Sequence, residues 1–313
     1  MKAKGGKRSL NIRIIRNFRQ DDMPLLGALY EAVRQGVGLF WWVGDEDNWT
    51  NVFCAFEEGK MVAKGQVAVI NVLPEGCPES CKHHIYVNLK TVPERERDTE
   101  LLEELYQRLY TRALELKETL PRHHGTYLCV GNFAHEERNT AFFTEEKGFR
   151  PLENLYSMVR TLNRPIPSFV LPDNFSCLLW DMQTEREEAR YLKLEAEVWP
   201  DAPLGLNRLR EYKAKPNWTA IIAAEGEQIA ASVMAWQEKG GNGVIEDVFV
   251  REPWRRQGLA KYLLSRAMNY LREHGAETAE LEVKAANASA LSLYQSVGFA
   301  QAGEEHRFYV PIP

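Results

Sequence analysis

The chain has 313 residues, 44% of them hydrophobic and 27% charged, with a formal net charge of -5. That length exceeds one ordinary core and suits two domains of about 150 residues each, in a globular rather than disordered chain. The acidic balance argues against a nucleic-acid-binding face, and no apolar run approaches the roughly 18 residues that a membrane span needs.

Residues 1–10 are rich in Lys and Gly and read as a loose arm; with no apolar region after its basic start, the cytoplasm is the expected location. Ile12 and Ile14 alternate in a strand over residues 11–18. Asp21 or Asp22 caps a helix over residues 23–34 that carries Leu25, Leu26, Leu29 and Val33. Phe40, Trp41 and Trp42, followed by Asp45, Glu46 and Asp47, read either as packed aromatics or as a lid. A hairpin with a glycine turn at Gly59 spans residues 51–70, and a loop over residues 73–82 leads to a strand over 84–92. The leucine stripe Leu101, Leu102, Leu105, Leu109 and Leu114 predicts a long helix over 99–116. A strand over 127–130 and a short helix over 139–147, stopped by Gly148, complete the half.

The second half repeats the order. A strand over 177–180 precedes a helix over 184–198, a hairpin over 218–236 and a strand over 244–250. A long helix over 259–274, a strand over 280–283 and a short helix over 288–296, stopped by Gly298, follow. The pairs Gly148-Phe149 and Gly298-Phe299 each close a short helix. The pattern predicts a tandem repeat of one β-α-β-β-β-α-β-α-β unit. Its divisions are an arm over 1–10, a first domain over 11–162, a proline-bearing linker over 163–174 and a second domain over 175–313. The expected fold class is α/β (α+β), two domains each with a mixed, mostly antiparallel central sheet flanked by helices.

The turn over residues 254–260 joins a strand to a helix and carries Arg255, Arg256, Gln257 and Gly258. Cationic and amide donors, a glycine that lets a bulky anion approach, and the unpartnered amides of a helix start suit a pyrophosphate. Taken alone, such a turn is commonly no more than a turn.

The spacing RxxGxA over Arg255 to Ala260, followed by NxxAxxLYxxxGF over Asn287 to Phe299, resembles the GNAT superfamily of N-acetyltransferases. The motifs cover the second half; the first half has the order of elements without them, and the organisation is similar to that of mycothiol synthase. The resemblance implies acetyl-CoA as acyl donor, with no metal. Arg255, Arg256, Gln257, Gly258, Leu259 and Ala260 would hold its pyrophosphate, the backbone of Val248, Phe249 and Val250 its pantetheine arm, and Asn287 the pantetheine region. Tyr294 stands where many members keep a general acid for the departing thiolate. As base, strand alternation sets Glu246 on the face of Val244, Val248 and Val250, and Asp247 on the other with Ile245 and Phe249; the Val250 face favours Glu246. Each assignment has a plainer alternative: packing for Tyr294, solvated strand charges for Glu246 and Asp247, a helix start for Asn287.

In the first half the matching turn carries acids, Glu100 or Asp98, where the second has Gly258, and Thr144 and Glu137 where it has Tyr294 and Asn287. That half is expected to bind weakly or not at all and to shape the substrate cleft. Cys77, Cys81, His83 and His84 lack a second ligand pair at zinc-site spacing. Trp199, Asp201 and Tyr212 are candidates for acceptor contact. The expected activity is transfer of an acetyl group to a small-molecule or peptide amine by direct attack, since none of the five cysteines lies in the motif stretch. The alternative is a non-catalytic acyl-CoA sensor. A monomer or weak homodimer is expected.

Overall fold

The computed structural model describes residues 13–35, 39–73, 77–238 and 240–313; the expected arm lies outside them. Two compact units emerge, and they do not follow chain order. The first takes in the chain through Asn71, Lys82–Leu152 and His306–Pro313; the second takes in Glu153–Glu305 with Val72–Cys81. The proline-bearing stretch 163–174 therefore lies inside the second unit.

In the first unit, β1 (Ile14–Asn17), α1 (Met23–Gln35), β2 (Val52–Glu57), β3 (Lys60–Asn71), β4 (His83–Thr91), α2 (Thr99–Lys117), β5 (Thr126–Phe133) and α3 (Glu137–Ala141) succeed one another. The strands order as β1-β2-β3-β4-β5, antiparallel except that β4 and β5 run parallel. Leu101, Leu102, Leu105 and Leu109 are buried along α2, as their spacing requires. The short helix is briefer than its sequence pattern, because from Phe142 to Glu146 the backbone widens into a π turn that buries Phe142 and Phe143.

The second unit holds β7 (Ser176–Trp180), α4 (Glu185–Val198), α5 (Leu206–Lys213), β8 (Thr219–Glu225), β9 (Gln228–Gln237), β10 (Gly243–Val250), α6 (Leu259–Glu273), β11 (Thr278–Lys284) and α7 (Ala288–Ser296). Helix α5 has no counterpart in the sequence reading. The remaining strands, β6 (Arg150–Thr161) and β12 (Ala300–Ile312), cross the unit boundaries. From Glu153 onward β6 belongs to the second unit and pairs antiparallel with β11, from Leu155↔Lys284 to Thr161↔Thr278. From His306 onward β12 belongs to the first, where it neighbours β5. The order in the second unit is β6-β11-β10-β9-β8-β7, in which β10 and β11 run parallel and the other neighbours antiparallel.

Two devices set the faces of the second sheet. Thr184 and Glu187 form a reciprocal capping box that sets the start of α4, and Tyr191 is buried on the face of that helix that meets the sheet. Along α6 the residues Leu259, Leu263, Leu264, Ala267, Met268 and Leu271 are buried. Each leucine so buried contributes about 1.5–3 kcal/mol relative to exposure. The α6 face of the sheet packs Ile245 with Leu263 and Leu264; the opposite face packs Tyr191, Leu209, Tyr212, Trp236 and Phe249. Among the described residues no helix is long and apolar enough to cross a membrane.

Candidate active site

The basic turn is built on an anchored tryptophan. Trp254 is buried, its indole Nε1 donates to Glu225 Oε2 at 2.7 Å, and the Arg251 guanidinium lies 5.1 Å from its ring centroid. Beyond it the chain turns twice through the left-handed region, at Arg256 (φ 64°) and Gly258 (φ 84°). Gly258 is the residue before α6, and no side chain caps that helix. Its first amides therefore lack intrahelical partners and carry the positive end of the helix dipole. A Cβ at Gly258 would meet nothing within 4 Å, so the glycine serves the backbone conformation and leaves open space before the helix.

That space is the end of a cleft of about 1050 Å³ within the second unit. Strands β10 and β11 pair only at Gly243↔Ala279 and Val244↔Glu280. From there both walls are cleft lining, Ile245 to Val250 on one strand and Leu281 to Lys284 on the other. Arg255, Arg256, Gly258, Leu259, Ala260, Lys261, Asn287 and Tyr294 line the same volume, as do Glu246, Asp247, Val248, Phe249 and Val250. Of the residues singled out from sequence for donor binding, Gln257 alone is absent from this lining; it is exposed on the turn.

The alternation inferred for Glu246 and Asp247 fails in the structure, for a local reason. Between Glu246↔Met234 and Phe249↔Ser232 the register of β10 on β9 slips by one residue. The extra residue makes a bulge, with Asp247 at φ 49°. Its effect is plain in the packing: Val244 and Phe249, five apart, share one apolar cluster, whereas Ile245, Val248 and Val250 share the other. Phe249 thus lies opposite Ile245, and Glu246 is not on the face of Val248 and Val250. The face that favoured Glu246 as base gives it no preference.

Asp247 is closely held. The Tyr191 hydroxyl donates to its Oδ2, and Ser232 Oγ bonds Tyr191 Oη at 3.3 Å. Burial pushes the Asp247 carboxyl up to about 6, against the pull of Tyr191 and of the nearby Trp199. Tyr191 is fully buried and its phenol is held well above the usual range, first by burial and then by the Asp247 charge. Glu195, one helical turn beyond Tyr191, also lines the cleft and is 2% exposed. Burial, then the Asp247 charge, pushes its carboxyl up to about 8, while the Leu204 amide donates to its Oε2 at 3.0 Å. Sequence reading missed both residues. Their i, i+4 spacing was a signal, obscured by a helix rich in glutamates.

Tyr294 is buried on the cleft wall, edge-on to Phe299 with ring centroids 6.3 Å apart. Burial, then the charges of Glu246 and Asp247, raise its phenol above the ordinary tyrosine range, so its O–H stays a donor. Asn287 is the N-cap of α7, accepting from the Ala290 amide at 3.1 Å. Trp199 and Asp201 line the cleft, Trp199 with 41% of its surface exposed. Tyr212 instead packs, stacked on Trp236 with centroids 4.6 Å apart. Cys81 lies in the stretch that joins the second unit, its Sγ 3.8 Å from Asp201 Oδ1. Among the described residues no three His, Cys, Asp or Glu side chains gather as a metal site.

In the first unit the equivalent helix start is occupied by the chain itself. Asp98 caps α2, accepting from the Leu101 amide at 3.0 Å, and pairs with Arg13 and Arg95. A carboxylate of the chain thus takes the helix start that α6 leaves open. Next to β4, the backbone of Leu39 and Trp41 is held by Asn88, which donates to the Leu39 carbonyl at 2.7 Å and accepts from the Trp41 amide at 3.1 Å. Fully buried Lys64 donates to the Trp41 carbonyl and to Gln66 Oε1, with the Phe40 ring 4.7 Å away. Burial pushes the Lys64 ammonium down to about 7.

Residues 179–299 match the sequence model of the acetyltransferase (GNAT) family. The chain is 38% identical over 63 residues to the [ribosomal protein bS18]-alanine N-acetyltransferase of Escherichia coli K12, covering 20% of this chain and 43% of that one. It is 29% identical over 160 residues to the mycothiol acetyltransferase of Thermobispora bispora, covering 47% and 54%. The chain thus spans about half the length of these curated relatives or less. Among solved structures, a GCN5-related N-acetyltransferase from Sphaerobacter thermophilus superposes with a TM-score of 0.75 at 19% identity, covering 96% of this chain and 95% of that one. A tandem GNAT protein from the clavulanic acid biosynthesis pathway superposes at 0.66 and 14% identity, covering 96% and 98%. The chain has the tandem GNAT fold, and the sequence match to the GNAT family is confined to residues 179–299.

Proposed function

With GNAT membership as the premise, we propose that the chain is an acetyl-CoA-dependent N-acetyltransferase whose active site is the cleft of the second unit. One observation carries this reading: an uncapped helix start, two diverging strands, a buried tyrosine and a poised carboxyl all border one volume. The residues fit the donor. Arg255, Arg256, Lys261 and the amides at the start of α6 suit its phosphates, and the unpaired edges of β10 and β11 suit an extended pantetheine arm. Bound there, acetyl-CoA supplies an acetyl thioester open to attack.

The chain's own groups then have distinct tasks. Asp247 is our candidate to accept the proton that the acceptor ammonium loses, because Tyr191 holds it on the cleft wall. Backbone N–H groups of Val248 to Val250 are the donors for the developing oxyanion. Tyr294 offers its O–H to the departing sulfur. The acceptor is a primary amine, on a small molecule or a peptide, and it enters past Trp199 and Asp201. The first unit, whose equivalent helix start is occupied by Asp98, is a structural or substrate-shaping domain.

The test is titration of acetyl-CoA against the wild type and Gly258→Glu. The variant places a carboxylate before α6, as Asp98 does in the first unit, and affinity is expected to fall at least about tenfold. Unchanged affinity would remove the turn from donor binding. Tight donor binding with no transfer to any amine would favour the sensor.

A further inference from the structure

Between α4 and α5 lies a span without regular structure, residues 199–204, of which Trp199, Pro200, Asp201, Ala202 and Leu204 line the cleft. We propose that Glu195 is a positioning residue of this cleft, holding that span so that Trp199 and Asp201 stand as a wall of the volume that Asp247 borders. The inference rests on the transferase reading for its purpose, though not for its geometry.

The geometry is specific. Glu195 stands in the last turn of α4, 2% exposed, on the same face as Tyr191. Its backbone carbonyl accepts from the Trp199 amide at 2.9 Å, and its side-chain Oε2 accepts from the Leu204 amide at 3.0 Å. One residue therefore ties both ends of the span. Within it, the Ala202 amide donates to the Trp199 carbonyl at 3.1 Å, which closes the turn. Trp199, so held, lines the same cleft as Asp247, which the Tyr191 hydroxyl holds.

Burial, then the like charge of Asp247, raises the Glu195 carboxyl and favours its neutral form, while the Leu204 amide pulls the other way. The other titratable groups on the cleft wall are Glu246, Tyr294 and Asp201; the lining cations Arg255, Arg256 and Lys261 belong to the turn before α6 and its first residues. A neutral Glu195 leaves Asp247 as the acid that ionises first.

The experiment compares wild type, Glu195→Gln and Glu195→Ala in the full chain. Gln keeps an oxygen acceptor for the Leu204 amide and mimics the neutral carboxyl; Ala keeps neither. Hydrogen exchange at the Leu204 amide is expected to be slow in the wild type and in Gln, and at least about tenfold faster in Ala. Equal exchange in all three overturns the positioning role. The melting temperature of Gln relative to wild type is expected to climb from pH 5 to 8 and then level, since only the wild type carries a proton that its unfolded chain gives up. A gap independent of pH overturns the neutral form. With an amine that the wild type turns over, acceptor KM is expected to rise in Ala and recover in Gln, at constant acetyl-CoA affinity. A wild type that transfers to no amine defeats the transferase reading and leaves the exchange and melting outcomes to judge Glu195.

Discussion

The Tyr191 hydroxyl donates a hydrogen bond to Asp247 Oδ2, joining helix α4 to the bulge in β10. A donor to the carboxylate favours its ionised form, so this bond opposes the burial that raises Asp247 to about 6. The wild-type kcat/KM is therefore expected to rise with pH through about 6, as Asp247 gives up its proton and becomes able to accept one. In Tyr191→Phe the donor is gone and the limb moves to higher pH by roughly one unit, the scale of one hydrogen bond to a charged group. A pH–rate profile of both proteins decides this; an unmoved limb would assign it to a group other than Asp247.

Tyr294→Phe keeps the ring against Phe299 and removes only the O–H. The expected result is a fall in kcat of about a hundredfold, with acetyl-CoA affinity and melting temperature nearly unchanged. Single-turnover kinetics with isothermal titration separates the two quantities. A loss confined to affinity would make Tyr294 a binding residue.

Asp98 offers the converse test in the first unit. Replacing it by Ala frees the Leu101 amide and leaves Arg13 and Arg95 without one of their partners. The cap alone accounts for about 1 kcal/mol of stability. Denaturant melts should show that loss, and acetyl-CoA affinity of the second unit should stay at the wild-type value. Altered affinity would mean that the first unit's helix start matters to donor binding.

The parts of this architecture that depend on local pattern were legible in the sequence. The leucines of α2 and α6 repeat at helical spacing, and Gly258 marks a turn that demands a left-handed residue. The bulge at Asp247 was not, because alternation along one strand carries no information about the register of its partner. Nor was the membership of β6 and β12, since pairing with β11 or with β5 depends on which strand edge is open, not on the residues of the strand itself. Helix α5 escaped because its eight residues are polar but for Leu206, Leu209 and Tyr212. Glu195 escaped because α4 is rich in glutamates, and only the structure distinguishes the two that are buried, Glu188 and Glu195, from exposed ones such as Glu185 and Glu197.

The glycines that close the two repeats differ in what surrounds them, and the difference predicts unequal costs. Gly148 and Gly298 both have positive φ, 70° and 94°, so alanine at either position is strained by about 1–2 kcal/mol. A Cβ at Gly148 would meet nothing within 4 Å. At Gly298 it would collide with the guanidinium of Arg160, whose Cζ lies 2.9 Å from the built position. That guanidinium is buried and donates to the carbonyls of Val297 and Pro165, the latter at 2.6 Å. Moving it leaves a buried cation short of acceptors, a further loss of about 1–3 kcal/mol. Gly298→Ala is therefore expected to lower stability by about 3 kcal/mol, and Gly148→Ala by about half that. The loss from Gly298→Ala should appear in the unfolding of the second unit, which contains both Arg160 and Gly298. Calorimetry of the two variants checks both the sizes and the transition affected, and equal costs would show that Arg160 yields freely and contributes nothing to holding the end of α7.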